Sequence, residues 1–421
     1  MTRPQKETLC FFEDALYHPF KPLVLTRPLD DLRTGIYTVR EKWLADLDRT
    51  NACRKVRPEL KGLYEDEHPD EGSVLWINSR LLPGPQIIDH IHHLKAGEGL
   101  LQKGLVLAIR TNCKTTAHWL RPESIVLSPH ENPSGDLSAS RPKGIEFREI
   151  HEPVRMLKEL WDLLAFNSAE MIQDIQRTPG LRTLDSDPSR GIWISGEHPV
   201  YAAADVHLEP GVTFVTEAGP IFLGNETRIM SGSILRGPTA IGEHSTVRMG
   251  AKLYEGTSIG PICKVGGELA NVIFHSYSNK AHDGFAGNSI IGQWCNLGAD
   301  TNTSNLKNNY STVRFINWHT RHAQETGEQF LGTIMGDHTK TGINSMLATG
   351  TNCGVCCNLF THGFPPKLIP SFSWVDSSKV VVYDFDRAVD TMERVMKRRD
   401  VPLTPAYIEL MRTIFEKRTA S

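Results

Sequence analysis

From Leu223 the chain reads LGNETRIMSGSILRGPTAIGEHSTVRMGAKLYEGTSIGPICKV, and an aliphatic side chain returns every six residues: Leu223, Ile229, Leu235, Ile241, Val247, Leu253, Ile259, Val265. Neither a helix nor an ordinary strand has that period. Four residues after each of the first seven stands a small residue: Thr227, Ser233, Thr239, Ser245, Ala251, Thr257, Cys263. Gly224, Gly242, Gly260 and Gly266 directly follow aliphatic positions. This is the hexapeptide pattern of a left-handed parallel β-helix, whose triangular coil spends about 18 residues per turn. The aliphatic side chain fills the interior, the small residue fits the tight corner, and glycine tolerates the turn dihedrals. A single coil leaves its apolar interior uncovered, so the coils must stack.

The register resumes at Ile291, Leu297 and Thr303, then at Met335, Thr341, Leu347, Cys353 and Leu359, with Thr339, Ser345, Thr351 and Cys357 as the small residues. That phase makes Cys353 of CGVCC an interior filler and Cys357 a corner residue, in place of a metal or redox motif. Two segments break the period, 266–290 and 304–334. Insertions in a solenoid emerge as loops, and such loops tend to carry function. The first contains YSNKAHDGFAGN, residues 277–288.

A chain of 421 residues exceeds one compact core. Residues 1–195 mix strand-like runs (PLVLTRP, SVLWIN, GLVLAIR, SIVLS) with helical ones (REKWLADLDR, QIIDHIHHLKAGEGLLQKG, VRMLKELWDLLAFNSAEMIQDI), which predicts an α/β domain with a largely parallel sheet. The boundary falls in the Pro-, Gly-, Asp- and Ser-rich stretch 177–191. The β-helix takes 196–375, and 376–421 form a helical extension of two amphipathic helices, the second capped by Thr404 before Pro405. The formal net charge of −3 gives no reason to expect nucleic acid as a partner. Without a signal-type apolar core or an uncharged apolar run of about 18 residues, no membrane association and a cytoplasmic location are expected. Eight scattered cysteines then read as reduced thiols.

Lys280 and His282 stand two apart in a glycine-containing stretch. Imidazole can accept a proton from an attacking nucleophile near neutral pH, and a flanking lysine can hold an anionic substrate. The cluster DHIHHL (Asp89, His90, His92, His93) reads instead as a polar helix face, since neighbours at i and i+2 do not point one way.

The segment SYSNKAHDGFAGNSIIGQWCNLGADTNTSNL resembles the acetyltransferase half of the bifunctional enzymes that make UDP-N-acetylglucosamine. With TRPLDDLRTGIYTVREKW, MGDHTKTGIN and FPPKLIPSFSW, nearly the whole chain is similar to a divergent bacterial branch of this GlmU-type family, most strongly from Leu223 to Trp374. The resemblance implies that His282 is the catalytic base, that Asn296 of CNLGAD is the loop asparagine, and that Arg248 binds the sugar phosphate. Phe285 stands where the family has a substrate-contacting tyrosine, and Gly266 where it has a lysine, leaving Lys264 or Lys280 to substitute. Lys307 of SNLKNN stands for a second lysine. The same resemblance implies acetyl-CoA as acyl donor, an amino-sugar 1-phosphate and a nucleoside triphosphate, UTP above all, as substrates, and a homotrimer.

The first domain departs further. Its glycine-rich phosphate cradle is replaced by FFEDALYHPF, Leu29 stands for the expected lysine, and Ser79 and Arg80 of LWINSRLLPG stand for the Gly-Asp whose aspartate binds magnesium. Arg27, Arg33 and Lys42 then offer charge for a nucleotide, and Mg2+ would need Glu13, Asp14, Asp30 or Asp31. Three readings stay open: a bifunctional enzyme, an acyltransferase with a degenerate first domain, and a sugar-nucleotide-binding scaffold without chemistry.

Overall fold

In the computed structural model, residues 7–64, 72–112, 144–376 and 379–418 are described, and every statement below concerns these. The chain divides into two units whose segments interleave: 1–20, 27–32 and 38–159 form one, and 21–26, 33–37 and 160–421 the other.

The first unit is built on a six-stranded sheet: β1 (Thr8–Phe12), β2 (Cys53–Lys55), β3 (Ser73–Asn78), β4 (Glu98–Gln102), β5 (Leu105–Asn112) and β6 (Glu146–Glu149), in the order β2-β1-β3-β5-β4-β6. β1 runs parallel to β2 and β3, and β6 to β4, but β5 is antiparallel to both its neighbours. The sheet is therefore mixed, where a largely parallel one was expected. The cause is local: Lys103 and Gly104 both have positive φ, and such a two-residue turn folds β4 and β5 into a hairpin.

Helix α1 (Val39–Asp46) starts at a capping box, Thr38 with Glu41. A one-turn helix α2 spans Lys61–Tyr64. Helix α3 (Pro85–His92) ends well before the expected helical run does, because 98–102 of that run pair as β4. PLVLTRP is no strand but contains a short 3-10 turn at Leu23–Leu25, and SIVLS lies outside the described residues.

The second unit opens its main run with α4 (Asp162–Gln176), which begins eight residues later than the sequence suggests. A β-solenoid follows, its strands stacking coil on coil in parallel sheets. All eight aliphatic positions from Leu223 to Val265 are at most 1% exposed, and the seven small positions are as fully enclosed. Cys353 and Cys357 lie in the same core. The three-faced coil of hexapeptide repeats is that of the left-handed β-helix, and its C-terminal end carries α5 (Phe385–Lys397) and α6 (Pro405–Lys417), the latter capped by Thr404.

The two breaks in the repeat differ in kind. Residues 304–334 are an insertion: Ile291 pairs directly with Met335 and Thr303 with Leu347, while the inserted chain folds a hairpin, Arg314–Ile316 against Ala323–Glu325. Residues 266–290 are not a loop. Their strands continue the sheets, with Val265 paired to Lys280 and Leu269 to Ala286. The coil is only shortened, which shifts the phase of the repeat. Its consequence is that Lys280 occupies an interior position that every coil below fills with an aliphatic side chain.

Candidate functional site

One face of the solenoid carries a ladder in which Thr246, Lys264, Asn279, Asn296 and Lys340 are paired in turn, each one coil above the last. Their side chains alternate with the interior Val247, Val265, Lys280, Leu297 and Thr341, so the ladder residues point outward. Successive coils are about 4.8 Å apart, which brings these groups within reach of one ligand.

At the corner preceding this face, Tyr277, Trp294 and His338 share left-handed backbone and stack above one another. The Tyr277 and Trp294 ring centres are 4.2 Å apart and those of Trp294 and His338 6.1 Å. Tyr407 of α6 meets His338, its hydroxyl 3.1 Å from Nε2. Helix α5 buries Phe385, Ala388, Met392 and Met396, and its C-terminal end brings Arg398 and Arg399 over the ladder. Arg399 donates to Oδ1 of Asn279 at 3.2 Å.

These elements enclose a cleft of about 700 Å³. His282, Asn296, Lys264, Lys340, Arg398 and Arg399 lie in its wall together with Asn279, Tyr277, Trp294 and Ile343, and no carboxylate does. The crowding of cations is felt within it. Burial and then Arg399, Arg248 and Arg398 lower the Lys264 pKa, and burial lowers that of Lys340, whose Nζ donates to the His338 carbonyl at 2.8 Å. Such a wall suits a ligand with several phosphate or carboxylate charges and a planar or apolar part.

The residues expected from the sequence fall in different places. His282 and Asn296 share the cleft. Arg248 is outside its wall, one coil below, near enough to act on Lys264. Its Cβ also explains Gly266: a Cβ there would lie 3.1 Å from that of Arg248 and 3.0 Å from the Ala281 carbonyl oxygen.

Lys280 does not reach the cleft. It is fully buried, donating to the carbonyls of His282 at 3.0 Å and Asp283 at 3.1 Å, and burial pulls its pKa down to about 8. The expectation that it holds an anion is thus corrected, since an interior repeat position faces the core. Phe285 lies on the following face, its amide bonded to Asn302 Oδ1, and Lys307 ties the insertion to itself through Ser311 and Thr312. Tyr277, Trp294, Lys340, Arg398 and Arg399 carried no signal in the sequence except for Lys340, which is in repeat register with Asn296 once the insertion is passed over.

In the first unit the chain from Arg27 to Asp31 runs beside the carboxyl ends of β1 and β3. Arg27 is 3.9 Å from Asp31, and Arg54 is 2.7 Å from Asp30 and 4.0 Å from Asp31. Arg57 is 2.6 Å from Glu13. Arg80 pairs with Asp14 through both Nε and Nη2. Lys42 is fully buried, and Arg33, in the second unit, donates to the carbonyls of His275 and Ile36. Lys42 and Arg33 are therefore turned inward, not toward a nucleotide. The four carboxylates named for Mg2+ all face arginines, so their donor set does not fit the ion, and no cluster of three metal-ligating side chains occurs among the described residues.

Residues 9–182 match the family described as sugar nucleotidyl transferase. Two curated proteins named "Bifunctional protein GlmU" are similar to part of the chain. That of Methanocaldococcus jannaschii is 33% identical over 105 residues, 25% of this chain and 24% of its own length. That of Gloeobacter violaceus is 27% identical over 134 residues, 31% and 25% respectively. The match thus spans about a quarter of the length of these relatives. Among solved structures, the UDP-N-acetylglucosamine acyltransferase of Campylobacter jejuni aligns over 56% of this chain and 98% of its own, at 12% identity and a TM-score of 0.30. The polysialic acid O-acetyltransferase OatWY aligns over 46% and 85%, at 13% identity and a TM-score of 0.20. The N-terminal part of the chain is thus similar to sugar nucleotidyl transferases, and part of the chain is similar to these bifunctional proteins.

Proposed function

We propose that the solenoid cleft transfers an acetyl group from acetyl-CoA to the amine of an amino-sugar 1-phosphate. The observation that carries this reading is the joining of His282 and Asn296 with four cations, and no carboxylate, in one wall. The cations hold the phosphates of donor and acceptor by charge-assisted hydrogen bonds, and the Trp294 and Tyr277 rings offer a flat surface to the donor's base. His282 accepts a proton as the amine attacks the thioester carbonyl. The C–N bond forms, the C–S bond breaks, and the departing thiolate takes up the proton held on the imidazole. The Asn296 amide or a backbone N–H stabilises the oxyanion between these steps. Holding two substrates in line supplies much of the rate. A homotrimer, with the donor between neighbouring solenoids, and a cytoplasmic location belong to this proposal. No helix among the described residues is long and apolar enough to cross a membrane.

The likeness of residues 9–182 to sugar nucleotidyl transferases supports handling of a nucleotide sugar by the first unit, with UTP as the natural triphosphate to try. The arginine-paired carboxylates favour the second reading, in which acetyl transfer is the principal activity.

The test is mass spectrometry of glucosamine 1-phosphate and acetyl-CoA incubated with the protein, with UTP and magnesium added in a parallel reaction. N-acetylglucosamine 1-phosphate is expected, and His282→Ala should lower its formation by at least ~100-fold, the usual weight of a general base. His282 is exposed, so the variant should melt within ~0.5 kcal/mol of the parent. Undiminished turnover in H282A would remove the assignment.

A further inference from the structure

We infer that the first unit takes no divalent cation at the carboxyl ends of β1 and β3, and that whatever it does with a nucleotide there is not metal-assisted. The place is the one where an open α/β sheet binds its ligands. Phosphoryl transfer from a triphosphate ordinarily relies on a cation there to neutralise charge.

The argument rests on saturation. Asp14 accepts four hydrogen bonds: from the Leu16 amide at 3.1 Å and Arg80 Nε at 2.9 Å on one oxygen, and from Asn78 Nδ2 at 2.9 Å and Arg80 Nη2 on the other. That is the full acceptor capacity of a carboxylate. Glu13 accepts from the Leu29 amide at 3.0 Å, Arg57 Nη1 at 2.6 Å and the Arg57 amide at 3.1 Å. All four charged groups are nearly or fully buried. The arginines are themselves fixed, Arg80 by the Leu157 carbonyl at 2.8 Å and Arg57 by that of Arg27 at 3.1 Å, so they cannot swing aside.

Mg2+ demands near-octahedral oxygen ligands at about 2.1 Å. To supply them, Asp14 or Glu13 would have to abandon these bonds and leave a buried guanidinium without its counter-ion, the most unfavourable way to open an ion pair. With Asp30 and Asp31 counted, four carboxylates stand against Arg27, Arg54, Arg57 and Arg80, so the place carries no net negative charge to attract a cation. Asp30 Oδ1 lacks a hydrogen-bond partner, and a cation that defied this account would go there.

The experiment uses the full chain. Mn2+ is titrated against it and the free aquo ion followed by electron paramagnetic resonance, in the parent and in the paired variants D14N/R80Q and D30N/R54Q, which remove both charges of a pair together so that neither is left stranded. Identical uptake by all three is expected. Pyrophosphate release from UTP and a sugar 1-phosphate, followed in the parent alone, should be absent or unchanged by EDTA. Stoichiometric Mn2+ uptake lost in either variant, or release that depends on Mg2+, overturns the inference. Failure of acetyl transfer would bear on the solenoid cleft alone.

Discussion

A lysine inside an apolar prism needs a reason, and Lys280 has a geometric one. Its ammonium reaches the carbonyls of His282 and Asp283, the two residues that turn the chain out toward the cleft before Gly284, whose φ of +109° and close approach to the Thr301 carbonyl leave no place for a side chain. Lys280 therefore positions the His282 turn from beneath without touching a substrate. Burial lowers its pKa to about 8, so the folded protein binds fewer protons there than the unfolded chain between pH 8 and the ordinary lysine value of 10.5. Stability rises with pH across that window and the gain is absent below it. The stability of the parent relative to Lys280→Met should increase by up to about 3 kcal/mol from pH 8 to 10.5 in denaturant titrations. In the proposed reaction K280M should lower kcat by about tenfold with KM little changed, a loss of roughly 1.4 kcal/mol in positioning. A flat difference in stability across the window would show that the ammonium is not desolvated as described.

At the level of elements, the solenoid was legible because its interior has a rigid period, and each aliphatic position from Leu223 to Val265 is buried as its phase requires. What misled was a change of phase. A coil shortened at 266–290 reads like an inserted loop, because a repeat counted in sixes cannot tell deletion from insertion until pairing such as Val265 to Lys280 is seen. The site was legible only in part for a related reason. His282 and Asn296 lie in the repeat and carry a family likeness, whereas Arg398 and Arg399 reach the cleft through the packing of α5, more than a hundred residues away from Asn279. The packing of Met392 and Met396 beneath α5 is what fixes those arginines, and nothing local in KRRD announces a partner. If α5 supplies phosphate contacts, Arg398→Ala with Arg399→Ala should raise KM for acetyl-CoA by about 10- to 100-fold, as two charge-assisted bonds would. kcat should be nearly unchanged, and the salt dependence of KM should weaken. An unaltered KM would remove α5 from the donor site.

For the molecule as a whole, the interleaving of its two units sets where it can be cut. A fragment beginning at residue 160 contains the whole repeat but lacks 21–26 and 33–37, which belong to the solenoid unit. Those short pieces satisfy buried groups. Thr26 Oγ1 donates to Asp337 at 2.6 Å, the Gly35 amide to Asn167 at 2.6 Å, the Ile36 and Tyr37 amides to Asp174 at 2.8 and 3.2 Å, and Arg33 to the His275 carbonyl at 3.1 Å. Ile36 also completes an apolar cluster with Met171, Ile175, Phe222 and Ala240. Once the pieces are gone, water replaces the partners, so each bond forfeits only its net worth of about 1 kcal/mol, with about 2 kcal/mol more for the exposed isoleucine cluster. Fragment 160–421 should therefore unfold with a stability lower by roughly 7 kcal/mol than the solenoid transition of the full chain, and joining 21–37 to its start through a flexible linker should recover most of that loss. His275 lies two residues before Tyr277 of the cleft wall, so acetyl transfer should weaken in the short fragment and return with the linked segment. Equal unfolding of the short fragment and the full chain would mean that the two N-terminal pieces rest on the solenoid without supporting it.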